Sequence, residues 1–135
     1  MPVFTIDKVT TRVCRERRAG VMHETLTLEA EGQAAGAGSN RARIVFDGEP
    51  GAPAVGYLVR ESATAVTVVG RLPHASYAAV RDALAAGGPL QVVYETRDGQ
   101  TGHLRRLGFV RAGQTLAVAA GHRAAAPAAA AFAMP

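Results

Sequence analysis

Between Val21 and Glu31 apolar and polar side chains alternate along most of the segment. Met22, Leu26, Leu28 and Ala30 share one parity, and His23, Thr25, Thr27 and Glu29 share the other. A period of two is the side-chain period of a β-strand, and this pattern needs a core on one side and water on the other. The segment therefore requires a sheet with one wet face, and the rest of the chain must supply its neighbours.

It supplies several. Val3 to Cys14 is rich in Val, Ile and Thr, but Phe4 and Ile6 fall on one parity while Val9, Thr11 and Val13 fall on the other. Since a one-residue slip moves every side chain to the opposite face, a bulge or break is expected near Asp7-Lys8. The basic cluster Arg15-Glu16-Arg17-Arg18, closed by Ala19-Gly20, reads as a turn. Cys14, where the apolar segment ends, reads as a small buried hydrophobe. Arg41 to Asp47 is a strand with Ala42, Ile44 and Phe46 inward and Arg41 and Arg43 outward. Ala54 to Arg60 and Thr64 to Leu72 suggest a hairpin around Glu61-Ser62-Ala63. Leu90 to Thr96, Thr101 to Val110 and Thr115 to Ala120 complete the set. The second of these switches parity at Arg105-Arg106, and turns at Asp98-Gly99 and Ala112-Gly113 separate the three.

One stretch, Pro73 to Ala86, has the other periodicity. Tyr77, Val80 and Leu84 recur at helical spacing with Ala83 beside them, and Arg81 and Asp82 lie on the opposite side. Proline at the start and Gly87-Gly88-Pro89 at the end supply start and stop signals. The expected fold is α+β and mostly β: an antiparallel β-sandwich or partly closed barrel of about eight strands. One helix, residues 74–86, is inserted between strands five and six. Residues 1–120 read as a single β-rich domain. Residues 121–135, in which Ala124 to Met134 is alanine apart from Pro127, Phe132 and Met134, read as a low-complexity Ala/Pro-rich tail or arm.

Composition bounds the function. The chain has 135 residues, of which 48% are hydrophobic and 19% charged, placing it with folded globular domains. No apolar run is long enough to span a bilayer as a helix, and the N-terminus lacks the charged leader and apolar stretch of a signal peptide. A single cysteine cannot build an internal disulfide framework, so a reducing, cytoplasmic setting is expected. The formal net charge of +4 is carried almost wholly by arginine, Lys8 being the only lysine.

Templates for chemistry fail on particular residues. Gly36-Ala37-Gly38-Ser39-Asn40 has the composition of a phosphate-cradling loop but lies between two strands, where such cradles need a following helix N-terminus. His23, His74, His103 and His122 have no partner at metal-ligand spacing. Cys14 lacks a base in any nucleophile signature, as do Ser39, Ser62 and Ser76. Glu29 and Glu31 share the polar face of one strand, where acids ordinarily meet water. No catalytic residue, metal or cofactor is expected.

The remaining signals are arginine placement and the tail. Arg15, Arg17 and Arg18 form one basic group and Arg105 and Arg106 another; Phe132 and Met134 give the tail the look of a docking arm. These seven residues are the candidate binding residues of a non-catalytic protein-interaction or assembly module, working on a protein partner or by self-association. A nucleic-acid-binding domain would use the same arginines against phosphates. It would lack the aromatic platforms that single-strand binders use. A small-ligand β-barrel is the third class.

Overall fold

The computed structural model describes residues 3–34, 36, 38–48, 56–97, 101–111 and 114–120. Among these residues nine strands and one α-helix follow one another: β1 (Val3–Thr5), β2 (Lys8–Arg18), β3 (Val21–Gln33), β4 (Ser39–Gly48), β5 (Gly56–Arg60), β6 (Val66–Pro73), α1 (Tyr77–Ala86), β7 (Gln91–Thr96), β8 (Gly102–Arg111) and β9 (Gln114–Ala120). They form one mixed sheet in the order β1-β7-β8-β5-β6-β4-β3-β2, with β9 also paired to β8.

The mostly β architecture with one helix matches the expectation; three details correct it. First, the count rises from eight to nine. The expected break near Asp7-Lys8 is real and sends β1 and β2 to different neighbours, β7 and β3. Second, the helix follows β6, not the fifth strand, and opens with a 3-10 turn over His74–Ser76. Ser76 caps α1 with no side-chain bond, whereas its end at Gly87, with φ +80°, takes the left-handed backbone that glycine favours. Third, the sheet is not wholly antiparallel. β4 and β6 run parallel because β5 passes beyond the place that β6 then fills, returning antiparallel to it.

Both ends of the sheet order belong to one stretch of chain, since β1 and β2 are linked only by Ile6 and Asp7. The sheet thus curls until its two ends share a corner. There the Asp7 N–H donates to the Glu31 carbonyl at 2.8 Å, and the Ile6 N–H to the Leu90 carbonyl at 2.9 Å. The Gln33 N–H donates to Asp7 Oδ2 at 2.9 Å. Gly32 lets β1 cross β3 closely: a Cβ there would collide with the Thr5 carbonyl oxygen. No ladder joins β1 to β2, so the sheet remains open.

Inside the curl the buried side chains form one cluster. Phe46 on β4 meets Phe109 on β8 at 6.3 Å between ring centroids and Tyr77 on α1 at 5.2 Å, edge to face. Val80 and Ala83 bury the inner face of α1 against the same core, leaving Arg81 and Asp82 in solvent as their spacing predicts. The parity switch at Arg105-Arg106 is a bulge: Glu95 opposes Arg106 while Thr96 opposes Leu104, so Arg105 is the extra residue. Its effect is to turn both arginines outward while Leu104 and Leu107 stay buried.

Candidate functional site

β2 differs from every other strand: among the described residues it alone places no buried side chain in the core, Val9 being only partly covered. Its ladder with β3 runs without interruption from Lys8↔Glu31 to Arg18↔Val21. β4, however, covers β3 only from Gln33 to Leu26. Beyond that point the segment from Cys14 to Thr25 is a two-stranded ribbon with no third strand among the described residues. The structure keeps Arg15 to Arg18 in strand and confines the turn to Ala19 and Gly20, correcting the expected turn over the basic cluster. Both turn residues have positive φ, 48° and 81°, the two-residue geometry whose twist matches a β-hairpin.

The overhang exposes groups that strand parity assigns to an interior. Met22 shares its parity with buried Leu26 and Leu28, yet is 55% exposed, and Val13, opposite Leu26, is 52% exposed; Val21, 58% exposed, lies on the wet face with Thr25 and Thr27. Cys14 is exposed as well, against the expectation of a buried small hydrophobe. For Met22 and Val13 the reason is that a neighbouring strand buries a residue and here β4 has stopped; Cys14, paired with Thr25, lies on the wet face of the edge strand.

Backbone direction follows from the turn. A two-residue loop makes Arg18 and Val21 a hydrogen-bonded pair, and such pairs alternate with non-bonded ones along an antiparallel ladder. Lys8, Thr10, Arg12, Cys14, Glu16 and Arg18 thus spend their N–H and C=O groups on β3. Val9, Thr11, Val13, Arg15 and Arg17 turn theirs outward, where no described strand receives them.

Side-chain charges on this sheet are mostly matched. Arg15 meets Glu24 at 3.1 Å and Arg18 meets Glu16 at 2.7 Å. The Arg18 guanidinium, by hydrogen bond and by charge, holds the Glu16 carboxyl below its ordinary range, and Glu16 raises Arg18 in return. On the wet face Glu29 takes Arg12 at 3.5 Å and Arg43 at 3.3 Å, and Glu31 takes Arg41 at 3.6 Å. The acids of β3, expected simply to meet water, thus also serve as counter-ions.

Of the candidate binding residues, Arg15 and Arg17 lie on the ribbon face that continues the core face, and Arg18 lies on the other. Arg105 and Arg106 sit on β8, with β5, β6, β4 and β3 between them and β2 in the sheet order. Phe132 and Met134 lie outside the described residues, as does the whole segment 121–135. Sequence reasoning named the ribbon arginines but missed Val13, Met22 and the open edge. Met22, apolar at the inward parity beyond the residues β4 can cover, was the one available sign.

His23 and His103 occupy β3 and β8, strands that are not neighbours, and no group of three metal-ligating side chains occurs among the described residues. The loop resembling a phosphate cradle leads into β4, a strand. Among the surface depressions lined by described residues, three are open to solvent. One of about 440 Å³ lies over the wet face between Lys8 and Val69; another of about 750 Å³ lies at the β1 corner by Tyr94. The third, about 450 Å³, separates Val13, Glu24 and Leu26 on the ribbon from His74, Tyr77 and Arg81 at the start of the helix. Thr67, which lines the first, donates its hydroxyl to the Glu61 carboxylate at 2.9 Å. No helix among the described residues is long and apolar enough to cross a membrane. Compared with protein-family models, with curated proteins and with solved structures, the chain finds no match.

Proposed function

We propose that the protein is a non-catalytic interaction or assembly module whose docking element is the β2–β3 ribbon. One observation carries the reading: an eleven-residue edge strand, Lys8–Arg18, offers a row of outward N–H and C=O groups on a hairpin whose outer part, Cys14 to Thr25, has no third strand among the described residues. An isolated two-stranded hairpin is marginal in water, and an added strand satisfies both its backbone groups and its exposed apolar side chains. Exposed edges are ordinarily blunted by charge, and arginines on β2 serve that end against indiscriminate pairing. Because Arg12, Arg15 and Arg18 already have carboxylate partners, the ribbon is less suited to phosphates than its arginine count suggests.

The same reading treats residues 1–120 as the module, its sheet curled partway to a barrel, with 121–135 an accessory arm carrying Phe132 and Met134. It places the protein in a reducing compartment, where exposed Cys14 stays a thiol. The test is a shortened ribbon in which Arg15 to Glu24 is replaced by Asn-Gly between Cys14 and Thr25. The shortened chain should unfold as cooperatively as the parent, yet lose the assembly that the tagged parent shows by native mass in extracts of cells making it. An assembly that survives shortening overturns the reading. So does salt-sensitive binding to generic single- or double-stranded oligonucleotides, which would move the function to nucleic acid. Truncation at Gly121 tests the arm: an unchanged native mass removes it from the docking role.

A further inference from the structure

Resting on the ribbon as docking element, we propose that its partner is a second copy of this chain. The two β2 strands pair antiparallel about a two-fold axis that passes between the two Cys14 residues. The argument is one of register. A two-fold axis perpendicular to the sheet keeps the wet faces together, so even-numbered residues of β2 must oppose even-numbered ones. Few registers then remain. Centring on Arg12 sets Arg12 against its own copy. Centring on Arg15 does the same for Arg15 and sets Arg12 against Arg18. Centring on Val13 sets Lys8 against Arg18, and centring on Thr11 matches no charges at all.

Centring on Cys14 sets Arg12 against Glu16 on both sides of the axis and places no like charges directly opposite. Thr10 then faces Arg18, Thr11 faces Arg17 and Val13 faces Arg15. Opposite charges across a strand pair favour a register, and like charges directly opposite disfavour it. The outward groups also fit. Thr11, Val13, Arg15 and Arg17 have free N–H and C=O groups, and this register makes them the hydrogen-bonded pairs of the new ladder. Cys14 then falls at a non-hydrogen-bonded pair, where opposed Cα atoms lie about 4.5 Å apart. That is within the roughly 4.4–6.8 Å that a disulfide bridges. Cys14 thereby reports on the register; the pairing itself is carried by backbone and charge.

The experiment uses the full chain in three measurements: sedimentation over a range of concentrations, amide hydrogen exchange, and cross-linking by diamide. In the last, two thiols lose two protons and two electrons to the added oxidant as the disulfide forms. The expected result is a concentration-dependent dimer in which the amides of Thr11, Val13, Arg15 and Arg17 gain protection. Cys14 should cross-link at least about tenfold faster than the displaced thiol of an Arg12→Cys/Cys14→Ser variant, because the paired register raises its effective concentration. Arg12→Glu, which turns both attractive pairs repulsive, should weaken the dimer about tenfold. Val13→Pro removes an outward N–H that β3 does not use, and should leave a folded monomer.

A chain that stays monomeric at every concentration overturns self-pairing, while leaving the ribbon as a docking element for another protein. A dimer whose outward β2 amides exchange freely overturns both readings. A dimer with protected β2 amides in which the residue 12 thiol cross-links faster than Cys14 overturns the register and the proposal with it.

Discussion

β3 is one unbroken strand with two different lives. From Leu26 to Gly32 every second side chain is buried, between β2 on one side and β4 on the other; from Val21 to Glu24 every side chain is exposed. Composition separates the halves only in part: on the inward parity Met22 is as apolar as Leu26 and Leu28, while Glu24, opposite Arg15, is charged. The length of β4 separates them as well. A strand's alternation records which way its side chains point, whereas burial depends on what is placed against them, and here the neighbour ends first.

The largest expected break in that comparison is Leu28→Ala, in the covered half. Leu28 is fully buried, and the substitution should lower unfolding stability by about 2–5 kcal/mol in a denaturant titration. Met22→Ala, at the same parity in the overhang, should change it by about 0.5 kcal/mol or less. Equal losses would show that the ribbon is packed in solution and that the two halves do not differ.

Two glycines sharpen the contrast next. Gly32→Ala, which drives a Cβ into the Thr5 carbonyl, should cost about 1–3 kcal/mol of global stability. Gly20→Ala meets nothing in space and is strained only by its positive φ. Its cost, about 1–2 kcal/mol, should appear as faster amide exchange in the ribbon while the Leu26–Glu31 amides keep their protection. Smaller still is a gain. Ala19 holds φ 48° without glycine's freedom, so Ala19→Asn should slow exchange in the ribbon alone by about 0.5–1 kcal/mol.

The gentlest test uses pH. Burial pushes the Tyr94 phenol up, with Arg60 opposing. The folded state therefore keeps its proton while the unfolded state releases it near its ordinary value of about 10. The contribution is complete below that pH and is lost as pH climbs through the raised folded value. Urea midpoints should fall above about pH 10 in the parent, and Tyr94→Phe should flatten that limb. In the ribbon, Glu16→Gln should leave the acid limb unaltered, because its partner Arg18 is as exposed as it is.

Several of these features were legible from residues. The break at Asp7-Lys8, the bulge at Arg105 and the helix stop at Gly87 each announce themselves, because a parity slip or a glycine-proline cluster has few structural meanings. The parallel pairing of β4 with β6 does not. Nothing in either segment records that β6 returns between β4 and β5; that order is set by which apolar faces close the core best. The exposure of Met22 was hidden for a related reason, since it depends on where another strand ends. Of the candidate site, the arginines were visible and the open edge was not.

The shared corner of β1 and β2 has a consequence for synthesis. Val3 pairs with Val93, so β1 cannot find its place until roughly 90 further residues have been made. At about 5–20 residues per second, that wait lasts several seconds. The β2–β3 hairpin needs only its own residues, and hairpins close within about 1–10 μs. On the ribosome the ribbon therefore exists long before the sheet that anchors it, and neighbouring chains on one message can present the same edge to each other while their cores are still unmade.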